Sequence, residues 1–226
     1  VVLVVVAALA VGCASGDDST AAPDDGPDTA AVGACDWPMW GQSPERLFLA
    51  PADCPTELSA ATVGDLEQAW FFNTDDVVTA TPAVVGDSLY VGDWTGRFYA
   101  LDRDDGSLRW SFQAAPHERV YAGQIVSSAA VADVDGLRTV YFGAGKTLYA
   151  LDAATGEQAW AHELNPDGGD DDPTEIETSP VVVEGPDGPT VIVGYDVHNA
   201  PTERAGVAAF DAATGDEVWT FDPDRG

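Results

Sequence analysis

Ala150-Leu151-Asp152-Ala153-Ala154-Thr155-Gly156-Glu157-Gln158-Ala159-Trp160 returns almost unchanged at Ala100 to Trp110 and again at Ala209 to Trp219. All three copies hold one frame: Ala, an apolar residue, Asp, three residues, Gly, three residues, Trp. Asp102, Gly106 and Trp110 are therefore equivalent to Asp152, Gly156 and Trp160, and to Asp211, Gly215 and Trp219. Such self-similarity fixes the architecture before any local reading does. Within the frame, Asp-x-x-x-Gly is a turn signal, because the Asp carboxylate bonds nearby amides and Gly accepts a positive φ without steric cost. Each copy reads as one hairpin of a repeating sheet.

Short apolar bursts precede each copy. Thr81 to Val85, Leu89 to Gly92 and Phe98 to Leu101 lead into the first, with turns at Gly86-Asp87 and Thr95-Gly96. Ser127 to Ala132, Val140 to Gly143 and Leu148 to Leu151 lead into the second, and Ser179 to Val183, Val191 to Gly194 and Gly206 to Phe210 into the third. These are strand-length segments punctuated as hairpins, with no sustained helical period, so every unit has four strands and the last carries the Trp. Trp70, Trp110, Trp160 and Trp219 lie 40, 50 and 59 residues apart, which suits propeller blades better than helical solenoids. The expected fold is all-β: a β-propeller of four-stranded antiparallel blades at 78–113, 125–164 and 176–222. A strand at Trp70-Phe71-Phe72 is lent to a last blade to close the ring. About three blades are fewer than the four to eight of a ring, so the chain reads as a fragment of a seven- or eight-bladed propeller.

Leu148-Tyr149-Ala150-Leu151-Asp152-Ala153-Ala154-Thr155-Gly156-Glu157-Gln158-Ala159-Trp160 resembles the repeat of the pyrroloquinoline quinone (PQQ) type β-propeller proteins, in which each Trp docks on the neighbouring blade's turn. The lead-in segment 35–77, with Asp36-Trp37-Pro38-Met39-Trp40-Gly41 and Leu58 to Trp70, is similar to that of quinoprotein and polyvinyl-alcohol-dehydrogenase-like propellers. In it Ser59 is placed to cap a short helix burying Val63 and Leu66. The resemblance implies PQQ with calcium in the central funnel, where the cofactor does the redox chemistry. Glu203 falls in a stretch similar to the one where dehydrogenases place a calcium ligand. Val120-Tyr121-Ala122-Gly123-Gln124-Ile125-Val126-Ser127-Ser128 departs from the methanol-dehydrogenase-like pattern, lacking its adjacent cysteines and its arginine.

Val1 to Gly12 is a continuous apolar run, too short to span a bilayer and suited to a signal-peptide h-region. Leu9-Ala10-Val11-Gly12-Cys13 resembles a bacterial lipobox, which makes Cys13 the lipidated N-terminus; the other reading is an ordinary exported protein cut nearby. Ala14 to Ala34 has no aromatic residue and reads as a flexible acidic tether of r.m.s. span roughly 25 Å. Cys35 and Cys54 remain, as a disulfide in an oxidising compartment or as two thiols.

The net charge of -30, from 39 acidic against 9 basic residues, makes nucleic acid and anionic lipid poor partners. Gly-x-Ser-x-Gly and Cys-x-x-Cys-His are absent, removing support for hydrolase chemistry and for covalent c-type haem in this stretch. His117, His162 and His198 lie on separate connections without ligand spacing. Asp167 to Asp172 with Glu175 invites calcium, Asp170 and Asp172 being weak candidates beside a solvated loop. Asp133-Val134-Asp135-Gly136 reads as a hairpin turn, and Trp94 as a packed aromatic or one facing the funnel. Together these point to a membrane-tethered, exported lipoprotein of the bacterial cell envelope, acting as a binding platform for a protein or small molecule at its blade loops. The alternative is a PQQ- and calcium-dependent alcohol dehydrogenase.

Overall fold

The computed structural model describes residues 31–56, 58–115, 124–164, 174–197 and 205–221, with Val197 described in its backbone alone. The h-region 1–12, Cys13, all but the last four residues of the tether, the loop from Asp167 to Asp172, Glu203, His117, His198 and the stretch 120–123 lie outside them.

Three antiparallel sheets follow one another along the chain. The first runs in order β1 (Ala83–Val85), β2 (Ser88–Gly92), β3 (Arg97–Asp102), β4 (Leu108–Gln113). The second is β5 (Ala130–Val134), β6 (Leu137–Ala144), β7 (Thr147–Asp152), β8 (Gln158–Glu163). A short β9 (Thr174–Glu175) precedes the third sheet, β10 (Val181–Gly185), β11 (Gly188–Val197), β12 (Gly206–Asp211), β13 (Glu217–Phe221), and pairs with the far end of β11. The strand segments read from the sequence match these up-and-down sheets. β9 and the length of β11 carry no apolar signal of their own.

The repeat frame builds the same outer hairpin three times. Asp102 Oδ1 accepts from the amides of Asp104 and Asp105 at 2.8 and 3.2 Å, Asp152 Oδ1 from Ala154 and Thr155, and Asp211 Oδ1 from Ala213 and Thr214. Gly106, Gly156 and Gly215 take φ of 73°, 74° and 77°, the left-handed conformation that closes the turn. Just beyond, each ladder shifts register by one residue: Ala100 faces Trp110 but Leu101 faces Leu108, with the same step at Ala150/Leu151 and Ala209/Phe210. That bulge turns the Trp out of its own sheet and toward the next.

The core lies between sheets. Phe98 of the first stacks on Phe142 of the second, centroids 4.1 Å apart and planes 4° from parallel. The fully buried Ala100, Ala150 and Ala209 keep side chains small where blades pack closely. Phe210, Tyr141 and Leu148 fill the second seam. The hairpin at Asp135-Gly136, with φ of 51° and 79°, is the two-residue type that joins twisted strands.

The lead-in segment differs from its expected form. Ser59 Oγ accepts from the amides of Ala61 and Thr62, and only a single 3-10 turn, Val63–Asp65, follows. Val63 and Leu66 are exposed, not buried, because nothing described packs over that turn. Trp70 to Phe72 forms no ladder, although Trp70 itself is buried.

Candidate functional site

The first strands of the three sheets touch one another and define the inner side of the arc. One residue at the mouth of each links it to its neighbour. Ser128 Oγ accepts from the Thr81 amide at 3.0 Å, and Ser179 Oγ from the Ser128 amide at 3.0 Å. This belt of hydroxyls takes up donors that no ladder reaches, since each lies just before a strand.

The lead-in segment crosses the same three mouths. Trp37 exchanges both backbone bonds with Val84 of β1, Pro38 O accepts from Val131 of β5, and an Arg46 guanidinium N–H donates to Ser179 O before β10 at 3.0 Å. Between belt and lead-in lies a cavity of about 390 Å3. Trp40 and Arg46 line it from the lead-in side, and Thr79, Ser127 and Thr178 line it from the three blades, with Glu177 also present. The volume falls within the range of small-molecule sites, which are concave and carry a few convergent polar groups.

Two features of the lining are unspent. Ser127 is 3% exposed, and among the described residues its Oγ is the buried side-chain oxygen or nitrogen without a hydrogen-bond partner. An orphaned buried hydroxyl costs roughly 1–3 kcal/mol and calls for an explanation. Arg46 is, among the described lysines and arginines, the one without a carboxylate partner. Arg97 pairs with Asp75, Arg103 with Asp104, Arg109 with Asp87 and Asp102, Arg138 with Asp133, and Lys146 with Glu163. Arg46 instead lies over the Trp40 ring, 4.9 Å from its centroid, with Phe48 edge-on to that ring at 4.7 Å.

A disulfide between Cys35 and Cys54 closes the segment that carries Trp40 and Arg46, with Cα atoms 5.4 Å apart. Inside it Gln42, Arg46 and Phe48 all take positive φ, at 75°, 52° and 55°. Non-glycine residues rarely do so, and such strain gathers where a loop is held in one shape for a purpose. Trp94, placed by its sequence as packed or facing the funnel, is half-buried and donates through Nε1 to Oγ1 of Thr79, a lining residue, at 3.1 Å.

Three of the four repeat tryptophans dock on the turn that follows them. Trp70 donates through Nε1 to Arg103 O, Trp110 to Ala153 O and Trp160 to Ala212 O, at 2.9, 3.0 and 3.0 Å, each indole lying on the next turn's Gly106, Gly156 or Gly215. Arg109 and the turn amides outweigh desolvation at Asp102 and hold its carboxyl below the usual carboxylate range. Burial pushes the Tyr99 and Tyr141 phenols well above their ordinary value, so both stay neutral donors, Tyr99 to Asp93 and Tyr141 to Ala212 O. Among the described residues no three His, Cys, Asp or Glu side chains are placed to hold a metal ion. Asp170, Asp172 and Glu203 lie outside those residues.

Four-stranded antiparallel sheets, docked turn to tryptophan around a shared inner cavity, define a PQQ-type β-propeller. The chain belongs to the family described as PQQ: Glucose/ethanol/alcohol dehydrogenase, beta-propeller domain, whose pattern matches residues 37–226. It is 35% identical over 195 residues to the quinohemoprotein alcohol dehydrogenase ADH-IIG of Pseudomonas putida, covering 82% of this chain and 25% of that protein. It is 28% identical to a polyvinylalcohol dehydrogenase of a Pseudomonas species over 81% of the chain and 28% of the relative. The solved structure of the quinohemoprotein alcohol dehydrogenase ADHIIG from Pseudomonas putida HK5 superposes with a TM-score of 0.67 at 28% identity, over 84% of this chain and 27% of that one. The chain thus spans about a quarter of the length of these relatives.

In the sequence Trp40, Ser127 and Ser128 carry no signal that joins them in one site, and Arg46 carries no signal of its own. Neighbours along the chain give no hint that Arg46 reaches Ser179, 133 positions away.

Proposed function

We propose that the chain is part of an exported quinoprotein-type dehydrogenase whose inner cavity holds PQQ for the oxidation of an alcohol. The observation that carries this reading is the cavity roofed by Trp40, with the buried, unpartnered hydroxyl of Ser127 in its wall. PQQ is a flat, acceptor-rich ring system bearing carboxylates, and an indole face, a spare hydroxyl donor and an unpaired guanidinium suit such a group. Trp40 would lie against it and Ser127 would donate to it. When bound, PQQ supplies the redox chemistry, taking two electrons and two protons from the alcohol; the chain's own residues bind and orient. Calcium belongs to the same proposal, with Glu203 as its weak candidate ligand; Asp170 and Asp172 are weak candidates for a separate ion on their own loop. The names of the quinoprotein relatives support the reading.

The test is reconstitution of the full-length protein with PQQ and calcium. A bound-quinone absorbance and a rise in melting temperature are expected; a colourless protein whose melting ignores the cofactor refutes the proposal.

A second reading is favoured by the stretch 120–128, which lacks the paired cysteines and the arginine of methanol-dehydrogenase-like enzymes. On it the propeller is a non-catalytic platform, lipidated at Cys13, tethered to the bacterial cell envelope by 14–34, and binding a protein or small molecule at its blade loops. Fatty-acid labelling that Cys13→Ala leaves intact would remove the anchor from either reading.

A further inference from the structure

Going beyond the cofactor reading, and resting on it only in taking the cavity as a ligand site, we infer that Arg46 is a binding residue that anchors a carboxylate of whatever flat small molecule occupies the cavity.

Four observations meet at this residue. The chain carries 39 acidic and 9 basic residues, so a cation left without a carboxylate runs against the composition, and Arg46 is that cation among the described residues. It lines the cavity together with the orphaned Ser127 hydroxyl. Its guanidinium spends one donor on Ser179 O, and a guanidinium has five in a planar fork that matches a carboxylate edge to edge. Its backbone is held at φ 52° between two further positive-φ residues, in a loop closed by Cys35–Cys54.

The two contacts that Arg46 does make fix its plane. The Trp40 face supports the guanidinium from one side and Ser179 O holds one nitrogen, so the remaining N–H groups are pre-organised and little rotamer freedom is lost on binding. Ser127 adds a neutral donor that would lose its desolvation penalty when a ligand oxygen arrives. Glu177 lines the cavity too, so the donors are confined to the side where Arg46 and Ser127 stand, and that side calls for the acceptor-rich, anionic edge of a ligand. The ligand class assigned here is a planar ring carrying carboxylates.

Benzene-1,3,5-tricarboxylate is the probe, because it is flat, carries three carboxylates and has no redox chemistry. Its affinity for the full-length protein, measured by calorimetry at two ionic strengths, should fall as salt rises. Arg46→Gln should weaken it at least tenfold and remove most of the salt dependence, while Arg46→Lys, keeping the charge without the fork, should restore the salt dependence and only part of the affinity. A ligand-induced shift of the Arg46 side-chain N–H resonance separates direct contact from support of the loop. Equal affinity for the Arg46→Gln variant, an unmoved Arg46 resonance, or no binding by the unaltered protein would overturn the inference. Tricarboxylate binding without PQQ binding would refute the cofactor reading and leave this one standing.

Discussion

The indole N–H of Trp160 donates to the carbonyl oxygen of Ala212, 52 residues away, at 3.0 Å, and the Tyr141 hydroxyl donates to the same oxygen at 2.9 Å. Trp110 and Tyr90 converge on Ala153 O in the same way, at 3.0 and 3.2 Å. The second and third blades thus each spend one turn carbonyl, with both lone pairs, on the blade before it. Losing the indole bond leaves the carbonyl to its tyrosine partner alone, so the loss is that of one hydrogen bond and of the docked ring.

Trp160→Phe should therefore destabilise the protein by roughly 0.5–1.5 kcal/mol, the net worth of one hydrogen bond, since Tyr141 still satisfies the Ala212 oxygen. Trp219 stands at the equivalent place but is 43% exposed against 9% for Trp160, so Trp219→Phe in this chain should cost well under half as much. Chemical denaturation of the two variants compares them; equal losses would mean that the docking bond adds nothing.

Gly156 and Gly136 separate conformational strain from contact. Both hold positive φ, at 74° and 79°, but a Cβ on Gly156 would strike the Trp110 ring whereas one on Gly136 meets nothing. Gly136→Ala should cost about 1–2 kcal/mol from the left-handed backbone alone. Gly156→Ala should cost at least about 1 kcal/mol more, because the indole must shift. Urea midpoints at unchanged m-value measure the difference, and a cheaper Gly156→Ala would contradict the docking geometry.

Ser127→Ala removes a hydroxyl that no protein group satisfies. Stability should hold or rise, by up to roughly 1–3 kcal/mol less the small packing contribution of the Oγ, since the orphaned hydroxyl is gone and nothing is left unpaired. Binding of a cavity ligand should weaken. A melting temperature that drops by many degrees would show that the hydroxyl has a structural partner.

Asp102 gives a pH dependence. Its carboxyl is held below the ordinary range, despite desolvation that opposes this, by Arg109 at 2.7 Å and the amides of Asp104 and Asp105. The charged form is favoured in the fold, so the contribution is complete above the unfolded value of about 3.9 and is lost as pH falls from there through the folded value. Asp102→Asn should flatten the stability curve in that acid window and nowhere above it. Unfolding free energies followed downward from about pH 5 would register this, and parallel curves for the two proteins would exclude it.

The Cys35–Cys54 bridge spans 19 positions and holds the loop that carries Trp40 and Arg46. Its removal as Cys35→Ser/Cys54→Ser should cost about 3 kcal/mol on the chain-entropy estimate for a loop of this size. Amide exchange should speed up in 36–53 before it does in the sheets. Unchanged exchange there would show that the backbone bonds of Trp37 and Pro38 suffice to hold the lead-in segment.

The repeat was legible because each of its residues acts locally. Asp152 bonds amides two and three places on, Gly156 supplies a left-handed turn, and alternating apolar bursts mark the strands. The helix expected to bury Val63 and Leu66 failed for a physical reason: a capping serine and two apolar residues specify a turn, yet burial needs a surface to pack against, and none lies there among the described residues.

The sequence by itself therefore determined the fold class, the blade frame and the family, because turn chemistry and strand period are properties of neighbours in the chain. Only the tertiary structure decided the site. The lead-in segment must cross three blades before Arg46 meets Ser179, and the hydroxyl belt must use Ser128 and Ser179 before Ser127 is left over. An unpaired guanidinium and an unpaired hydroxyl cannot be read from a sequence, since being unpaired depends on every group that folding brings near.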